Sequence, residues 1–346
     1  MTTNEKIARI RQLMARDQVQ AVIIPSGDPH MSEYFSEHWK TRRFVSGFTG
    51  SAGTIVVTAD KAGLWTDSRY FLQAASQLEG SGIELYKLAL PETPSITEFL
   101  LHELHTGQAV GLDGQTYSAA EASALANKLS RKEIKLDTSA DLIEGIWKDR
   151  PAVPGNPIFE MPEALSGASV HEKLDLINNQ LRSEGADCLI LAALDEIAWT
   201  FNIRGTDVTY NPVVVSYAFV SEDESVLFIK PEKLTAEITE HLKKEGVTLA
   251  EYSMIQRYLS RLPENSRVFV DMNKTNVSLY DAIPGSCTIV EGISPANHLK
   301  SIKNETEIKG FQNAVVKDGV ALTKFYIWLE KQMAEGAQVT EISAAE

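Results

Sequence analysis

One pattern of apolar and polar positions occurs twice along the chain. When the sequence is aligned with itself so that Lys6 falls on Lys173, the segments 6–28 and 173–195 have matching hydrophobic positions. Each segment has the spacing of an amphipathic helix, followed by a short and continuously apolar strand, AVII or CLIL. The helical apolar positions are Ile7, Ile10 and Met14 in the first copy and Leu174, Ile177 and Leu181 in the second.

The residues around these segments extend the duplication. Thr2 with Glu5, and Ser169 with Glu172, have the spacing of capping boxes, which begin helices. Further along, each copy has an aromatic segment ending in glycine and then two β-rich stretches, which predict a hairpin. Helices then alternate with short strands. The pattern therefore predicts an α/β protein of two tandem mixed-sheet domains, with helices on the faces of each sheet.

Proline and glycine mark the boundary between the two copies. The segment DRPAVPGNP, at 149–157, contains three prolines and a glycine, a composition that interrupts helices and strands. We therefore expect one domain at residues 1–150, a second at 158–302, and the start of a third at 303–346.

The third segment has a long helical pattern. Apolar residues recur at helical spacing for roughly thirty residues, whereas most globular helices have ~8–20. Gly336 is expected to end this helix, and Thr340 to cap another. We expect the chain to stop inside a larger domain at Glu346, leaving an apolar stripe that promotes self-association or loss of order. The stripe comprises Ile308, Phe311, Val315, Leu322, Phe325 and Leu329.

Composition excludes several classes of protein. The 346 residues are 43% hydrophobic and carry a formal charge of −14, which argues against a nucleic-acid partner because such proteins need a positive surface. No apolar run approaches the ~20 residues of a membrane span, so no membrane association is expected. Cys188 and Cys287 cannot form a disulfide framework, and the N-terminus has no signal-peptide pattern. A cytoplasmic location is therefore expected.

Two motifs resemble known sites only in part. His102 and His105, in LLHELH, are one residue short of the zinc motif HExxH, so a solvated helix surface is the favoured interpretation. The segment GFTGSAG, at 47–53, has the glycines of a phosphate loop but leads into a strand. Without a following helix it lacks the dipole that binds anions, and we interpret it as a tight turn between strands with positive φ.

Polar residues after the first apolar strand allow two interpretations. The segment PSGDPHMSEY, at 25–34, brings Asp28 and His30 to the carboxyl end of that strand, where open α/β sheets bind ligands. Alternatively, its prolines and glycine shape a loop whose polar groups cap the next helix. The sequence does not favour one of these over the other.

Two further segments contain candidate charged residues. In WTDSRYF, at 65–71, Arg69 follows the helix caps Asp67 and Ser68, a position that the helix dipole disfavours for a cation. A surface ion pair is the simpler explanation, and contact with a partner is the other. In ALDEIAWTFNIRG, at 193–205, we expect a buried acid to pair with Arg204 for structural reasons. No nucleophile with an adjacent base is found, so no catalytic residue is assigned.

Several of these segments together resemble motifs of the cytosolic-type Xaa-Pro aminopeptidases (aminopeptidase P). The resemblance covers essentially the whole chain. It implies two creatinase-type N-terminal domains with ribonuclease-H-like folds, followed by a pita-bread domain of which residues 303–346 supply only the first helix. The matching segments are PSGDPHMSEY, RRFVSGFTGSAGT, LWTDSRYFLQAA, IWKDRP, ALDEIAWTFNIRG with NPVVVSYAFV, and IKNETEIKG.

The resemblance also implies the chemistry of the parent enzyme. Such enzymes remove the N-terminal residue from peptides with proline second, using two divalent metals, usually manganese, held by two Asp, one His and two Glu. These ligands would lie beyond Glu346, so no metal ligand or cofactor is expected within this chain, which we expect to fold but to be inactive.

The resemblance assigns one substrate-binding residue and one type of partner. The arginine of the family's WTDxRYF motif contacts substrate, and that position is Arg69 here, although Ser68 replaces the more usual glycine. Family members often form homodimers. The alternative hypothesis is a stand-alone, non-catalytic binding or interaction module.

Overall fold

The first half of the chain folds around one mixed sheet. The computed structural model describes residues 1–346. The order of strands in this sheet is β4-β3-β2-β1-β5-β6; β2 is antiparallel to its neighbours β1 and β3, and all other neighbouring strands are parallel. Its elements are α1 (Thr3–Arg16), β1 (Ala21–Ile24), α2 (Thr41–Ser46), β2 (Thr54–Thr58), β3 (Ala62–Thr66), α3 (Phe71–Gln77), β4 (Glu84–Lys87), α4 (Ile96–Glu103), β5 (Ala109–Leu112), α5 (Ala119–Ser130) and β6 (Lys135–Asp137).

The second half repeats this topology. Its six-stranded sheet has the order β12-β11-β10-β8-β13-β14, with the same pattern of parallel and antiparallel neighbours. Its elements are β7 (Phe159–Glu160), α6 (Glu163–Ser166), α7 (Val170–Glu184), β8 (Cys188–Leu191), α8 (Leu194–Thr200), β9 (Ile203–Arg204), β10 (Ser216–Ser221), β11 (Ser225–Ile229), α9 (Ala236–Lys244), β12 (Val247–Ala250), α10 (Ile255–Leu259), β13 (Arg267–Val270), α11 (Val277–Asp281), β14 (Thr288–Glu291) and α12 (Pro295–Ser301).

The predicted α/β class with two similar halves is confirmed. β1 and β8, the two continuously apolar strands, lie at equivalent central positions and are buried on both faces. Both predicted capping boxes are present at the starts of α1 and α7. Each sheet has two apolar layers, because residues alternate between its faces and helices cover both. The residue boundaries 1–150, 158–302 and 303–346 stay a prediction, although residues 151–158 contain no helix or strand.

Backbone hydrogen bonds join the two halves directly. The N–H of Ala119 donates to the carbonyl of Thr275 (2.9 Å), and the N–H of Val277 donates to that of Tyr117 (2.9 Å). These contacts bring the start of α5 against the start of α11. The halves therefore meet through fixed backbone geometry as well as through side chains.

The last segment is a long helix with no buried residue. α13 (Glu305–Ala334) has 30 residues and begins at a capping box formed by Asn304 and Glu307. Gly336 has φ +72°, and Thr340 caps α14 (Glu341–Ala345), so both predicted features are confirmed. Many of the large apolar side chains on α13 are exposed, including Phe311 (59%) and Val315 (66%).

Candidate functional site

Arg69 lies on the surface in a single turn of 3-10 helix that follows β3. Asp67 begins this turn and accepts a hydrogen bond from the Arg69 N–H (3.1 Å). The guanidinium forms a bidentate ion pair with the same carboxylate, with Nε–Oδ1 at 2.8 Å and Nη2–Oδ2 at 2.9 Å. The pair raises the pKa of Arg69 and lowers that of Asp67. Asp67 thus offsets the unfavourable position of this cation near a helix start.

The side chain of Arg69 remains accessible in this arrangement. Its exposed fraction is 65%, and its guanidinium carbon lies 5.1 Å from the centre of the Tyr70 ring. Because Asp67 takes the Nε–Nη2 edge, Nη1 still faces solvent and can donate to a carbonyl or carboxylate. The structure therefore contains the surface ion pair that the sequence favoured, and it leaves part of the guanidinium free.

The glycine-rich loop 47–53 is held beside this turn by Arg42, which the sequence analysis missed. Arg42 is buried; it donates from Nη1 to the Phe48 carbonyl (3.1 Å), from Nη2 to the Gly50 carbonyl, and from Nε to Ser26 Oγ (2.6 Å). Burial lowers the pKa of Arg42 to about 10. No local pattern marked this residue, because two of its three partners are backbone carbonyls, which any residue type supplies.

The loop is a turn, as predicted, but not between two strands. It connects α2 to β2, and Gly47 ends α2 in a left-handed conformation with φ +75°. Gly50 serves a different purpose, because a Cβ there would lie 2.3 Å from Cζ of Phe48. The loop also contacts the Arg69 turn, since Ser51 Oγ and the Tyr70 hydroxyl are 2.7 Å apart.

A cleft lies between the two halves next to this loop. Its volume is about 680 Å³, within the range of ligand sites, and residues from both halves line it. Its aromatic lining residues are Tyr34, Phe35 and Trp39 from the first half and Tyr210 from the second, and Ser51 lies at the side nearest Tyr70. Arg69 does not itself line this cleft; it is connected to it through the adjacent Tyr70, whose hydroxyl contacts the lining residue Ser51.

His30 connects the two halves instead of forming an open site. Its Nδ1 lies 2.8 Å from the Ala192 carbonyl and its Nε2 lies 2.9 Å from the Tyr252 hydroxyl. The carbonyl bond requires a proton on Nδ1, so Nε2 of the neutral ring accepts from Tyr252. Asn276 Nδ2 donates to the Pro29 carbonyl (2.7 Å), and burial lowers the pKa of His30.

Asp28 shapes the same loop from within. It is 1% exposed, and its Oδ1 accepts the backbone N–H groups of His30 (3.1 Å) and Ser32 (2.8 Å). Asp28 and His30 match the structural interpretation of segment 25–34, but the expected capping of the next helix is absent, since Ser36 and Lys40 at the following helix starts have no side-chain cap. Its polar groups serve the contact between the halves, which the sequence of one half cannot reveal.

The expected pairing of a buried acid with Arg204 is wrong. Asp195 is exposed and forms an ion pair with Lys300 of α12. Glu196 is buried and accepts from Asn297 Nδ2 (3.1 Å), and burial raises its pKa. Arg204 instead donates from Nη1 to the carbonyls of Ala198 (2.6 Å) and Ile203 (2.9 Å). α8 directs both acids toward α12, while Arg204 lies on β9 beyond the helix end.

The remaining candidates do not form a metal centre. His102 is on the exposed face of α4, 2.9 Å from Glu103, and His105 follows the end of that helix. No group of three or more His, Cys, Asp or Glu side chains is placed to hold a metal ion. Both cysteines are free. None of the helices combines the length and apolar character needed to cross a bilayer.

Family models match both halves of the chain. Residues 6–146 and 149–307 each match a model described as "Creatinase/Prolidase N-terminal domain". The two sheets are therefore a tandem pair of creatinase/prolidase N-terminal domains, as the duplicated topology indicates. Together with the relatives described next, these matches show that the chain belongs to the Xaa-Pro aminopeptidase (aminopeptidase P) family, which confirms the resemblance seen in the sequence.

Curated and solved relatives match along the whole chain. It is 37% identical over 360 residues to "Probable Xaa-Pro aminopeptidase P" of Coprinopsis cinerea, covering 99% of this chain and 58% of that protein. It is 37% identical to "Xaa-Pro aminopeptidase ApepP" of Drosophila melanogaster, covering 100% of this chain and 58% of that protein.

A solved structure shares the arrangement of both sheets and α13. X-prolyl aminopeptidase from Caenorhabditis elegans, described as a cytosolic enzyme with a di-nuclear active site, is 30% identical with a TM-score of 0.93. The match covers 100% of this chain and 58% of that one. The chain thus spans a little over half the length of these relatives.

Proposed function

We propose that residues 1–346 are the scaffold and substrate-contacting part of a metal-dependent Xaa-Pro aminopeptidase. The reaction would remove the N-terminal residue from peptides with proline second. The observation that carries this proposal is the chain-wide similarity to Xaa-Pro aminopeptidases, at 37% identity to two of them. The TM-score of 0.93 to the C. elegans enzyme supports it, because the two sheets and α13 have one relative arrangement in both.

The residues of this chain do not fit a di-nuclear metal centre. Such a centre needs several carboxylate and imidazole ligands directed at one point. No group of three or more such side chains is assembled within residues 1–346. We therefore propose that the metal ligands, expected for two manganese ions, lie outside these residues.

Arg69 is the residue proposed to contact substrate. Asp67 fixes the guanidinium in one orientation, so little side-chain freedom is lost when a peptide carbonyl binds the free Nη1. The neighbouring cleft offers aromatic surfaces, among them Tyr34, on which a proline ring can pack. A cytosolic location and a homodimer are part of the same proposal, the location following the description of the C. elegans relative.

The substitution Arg69→Ala tests this role in a protein of the relatives' full length. We expect kcat/KM for an Xaa-Pro peptide to fall at least tenfold, while the content of bound metal stays normal. Arg9→Ala, on the exposed surface of α1, is the matched control because it also removes an exposed arginine. An unchanged kcat/KM for the Arg69 variant would refute the role.

Activity measured on residues 1–346 alone tests the location of the chemistry. With manganese added, we expect no cleavage of an Xaa-Pro peptide above the blank. Metal-dependent turnover by this chain would contradict the proposal.

The exposed apolar face of α13 argues against a stand-alone binding module. Side chains such as Ile308, Val316 and Leu322 are about half exposed or more. An exposed apolar surface of this kind is normally covered by another domain or protein. Monomeric, ordered behaviour of residues 1–346 in solution, measured by light scattering, would favour the module instead.

A further inference from the structure

A second cavity lies between the second sheet domain and the start of α13, away from Arg69. Its volume is about 440 Å³. Trp199 of α8 and Phe311 of α13 contribute aromatic surface to its walls. The rest of the cavity is rich in charge, and the proposed peptidase activity makes no use of it.

The charged residues lining this cavity have an excess of positive charge. Lys173, Arg204, Lys300 and Lys303 contribute four cations, against the two acids Asp195 and Glu307. This local surplus of two positive charges occurs in a chain with a formal charge of −14. The surplus therefore runs against the net charge of the whole chain.

The Nε–Nη2 edge of the Arg204 guanidinium has no hydrogen-bond partner in the protein. Nη1 donates to two backbone carbonyls, which fixes the plane of the guanidinium. Nε and Nη2, the two parallel donors on the other edge, have no partner, and no carboxylate forms an ion pair with this side chain. A guanidinium edge of this kind binds a carboxylate with two hydrogen bonds. A partly buried arginine without an acid is unusual, because buried charges are normally paired.

The acid that interacts with Arg204 through space is held in another contact. Glu307 closes the capping box of α13, with its Oε2 accepting the Asn304 N–H at 3.0 Å. Burial lowers the pKa of Lys173 to about 8 and also lowers that of Arg204; Glu307 opposes both shifts through space, yet it forms an ion pair with neither residue.

Lys173 adds a cation at the base of the cavity. Its Nζ donates to the Trp199 carbonyl (2.9 Å) and to Asn202 Oδ1 (2.6 Å), and it lies 4.7 Å from the centre of the Trp199 ring. The residue is 1% exposed, so its charge acts through a poorly solvated region where electrostatic interactions are strong.

From this geometry we propose that the cavity binds a small organic carboxylate that has an apolar substituent. The carboxylate pairs with the Nε–Nη2 edge of Arg204, and Lys303 contributes long-range attraction. The substituent packs between Trp199 and Phe311. This site is independent of the proposed peptidase activity, since it involves neither Arg69 nor the interdomain cleft.

Titration of the 346-residue chain with N-acetyl-phenylalanine tests the proposal by calorimetry. We expect saturable binding of the carboxylate and none of N-acetyl-phenylalanine amide, which has the same shape without the charge. Arg204→Gln is expected to weaken binding at least tenfold, while Arg204→Lys gives an intermediate affinity because it keeps the charge but not the fork. Arg9→Gln, on the far surface of α1, is the control and should leave affinity unchanged.

The substitution Glu307→Gln is expected to strengthen binding of the carboxylate, whereas Arg204→Gln weakens it. Glutamine can still accept the Asn304 N–H, so α13 keeps its cap while a negative charge is removed, and binding should become several-fold tighter. If Arg204→Gln fails to fold, judged by circular dichroism, Lys303→Gln takes its place with a smaller expected loss. Equal binding of acid and amide, no saturable binding, or unchanged affinity in a folded Arg204→Gln variant would each overturn the proposal.

Discussion

The two halves of the molecule place a single 3-10 turn at equivalent points of their sheets and use it differently. After β3, the turn 68–70 holds Arg69 on the surface, paired with its neighbour Asp67. After β11, the turn 231–233 holds Lys233, which is fully buried and paired with Asp207. Arg69 is the second residue of its turn and Lys233 is the third, so the first turn exposes its cation and the second buries its own. The shared topology sets where the turn lies, while the surrounding loops set what its charge does.

The loops after the two equivalent central strands differ in the same way. Asp28 follows β1, is buried, and binds two backbone N–H groups within its own loop. Asp195 occupies the matching position after β8, is half exposed, and pairs with Lys300. Here it is the first half that buries its charge, because its loop inserts against the second half. The two halves thus share sheets and helices and differ in how these loops use their charged residues.

Removal of the buried lysine should have the largest effect on stability. Lys233→Ala leaves the Asp207 carboxylate buried without a counter-charge, and the loss of one partner of a buried pair costs about 3–5 kcal/mol. We expect this decrease in the free energy of unfolding, measured by urea denaturation.

Two further variants make the lysine test specific. Lys244→Ala removes an exposed lysine and should change stability little. Adding Asp207→Asn to Lys233→Ala removes the unpaired charge and should recover part of the loss. An equal loss in the single and double variants would show that packing, not charge, is responsible.

Acid should selectively weaken the contact that His30 makes between the halves. Burial lowers the pKa of His30 below its ordinary value of 6.5, so below pH 6.5 the unfolded chain binds a proton that the folded protein does not. Stability therefore falls on acidification through that range, by about 1.4 kcal/mol per pH unit for one proton. Asp28, Lys233 and Asp207 are the charged groups that act on this ring.

The variant His30→Asn isolates that contribution. Asparagine keeps a donor toward the Ala192 carbonyl but does not titrate, so the difference in stability between the two proteins should shrink as the pH falls below 6.5. His102→Gln, on the exposed face of α4, is the control. A constant difference between pH 7.5 and 5 would contradict the assignment of a buried neutral imidazole.

Arg69→Ala should have the smallest effect on folding. The side chain is exposed and its ion pair with Asp67 is a local surface contact, so the urea midpoint should not move measurably. Together with the expected loss of kcat/KM, this result would separate contact with substrate from support of the fold. A clear shift of the midpoint would instead indicate a structural role for Arg69.

Much of the fold was predictable because its signals are local. The capping boxes at Thr2 and Ser169 and the apolar strands AVII and CLIL locate the central elements of both halves. The spacing of apolar residues likewise predicted α13 to within a few residues. The candidate site was only partly predictable. The motif around Arg69 is local, but Arg42 binds backbone carbonyls, which carry no signal in the sequence, and His30 binds the Ala192 carbonyl in the other half.

By itself, the sequence determined the duplication, the α/β class, the family and the position of Arg69, since each depends on neighbouring residues or on a motif read in order. Only the tertiary structure decided which charges are buried and what they pair with. Arg204 illustrates the difference, because Asp195 and Glu196 lie close to it in sequence but contact α12 instead. The physical reason is that burial and ion pairing depend on distances across the fold, which local periodicity does not specify.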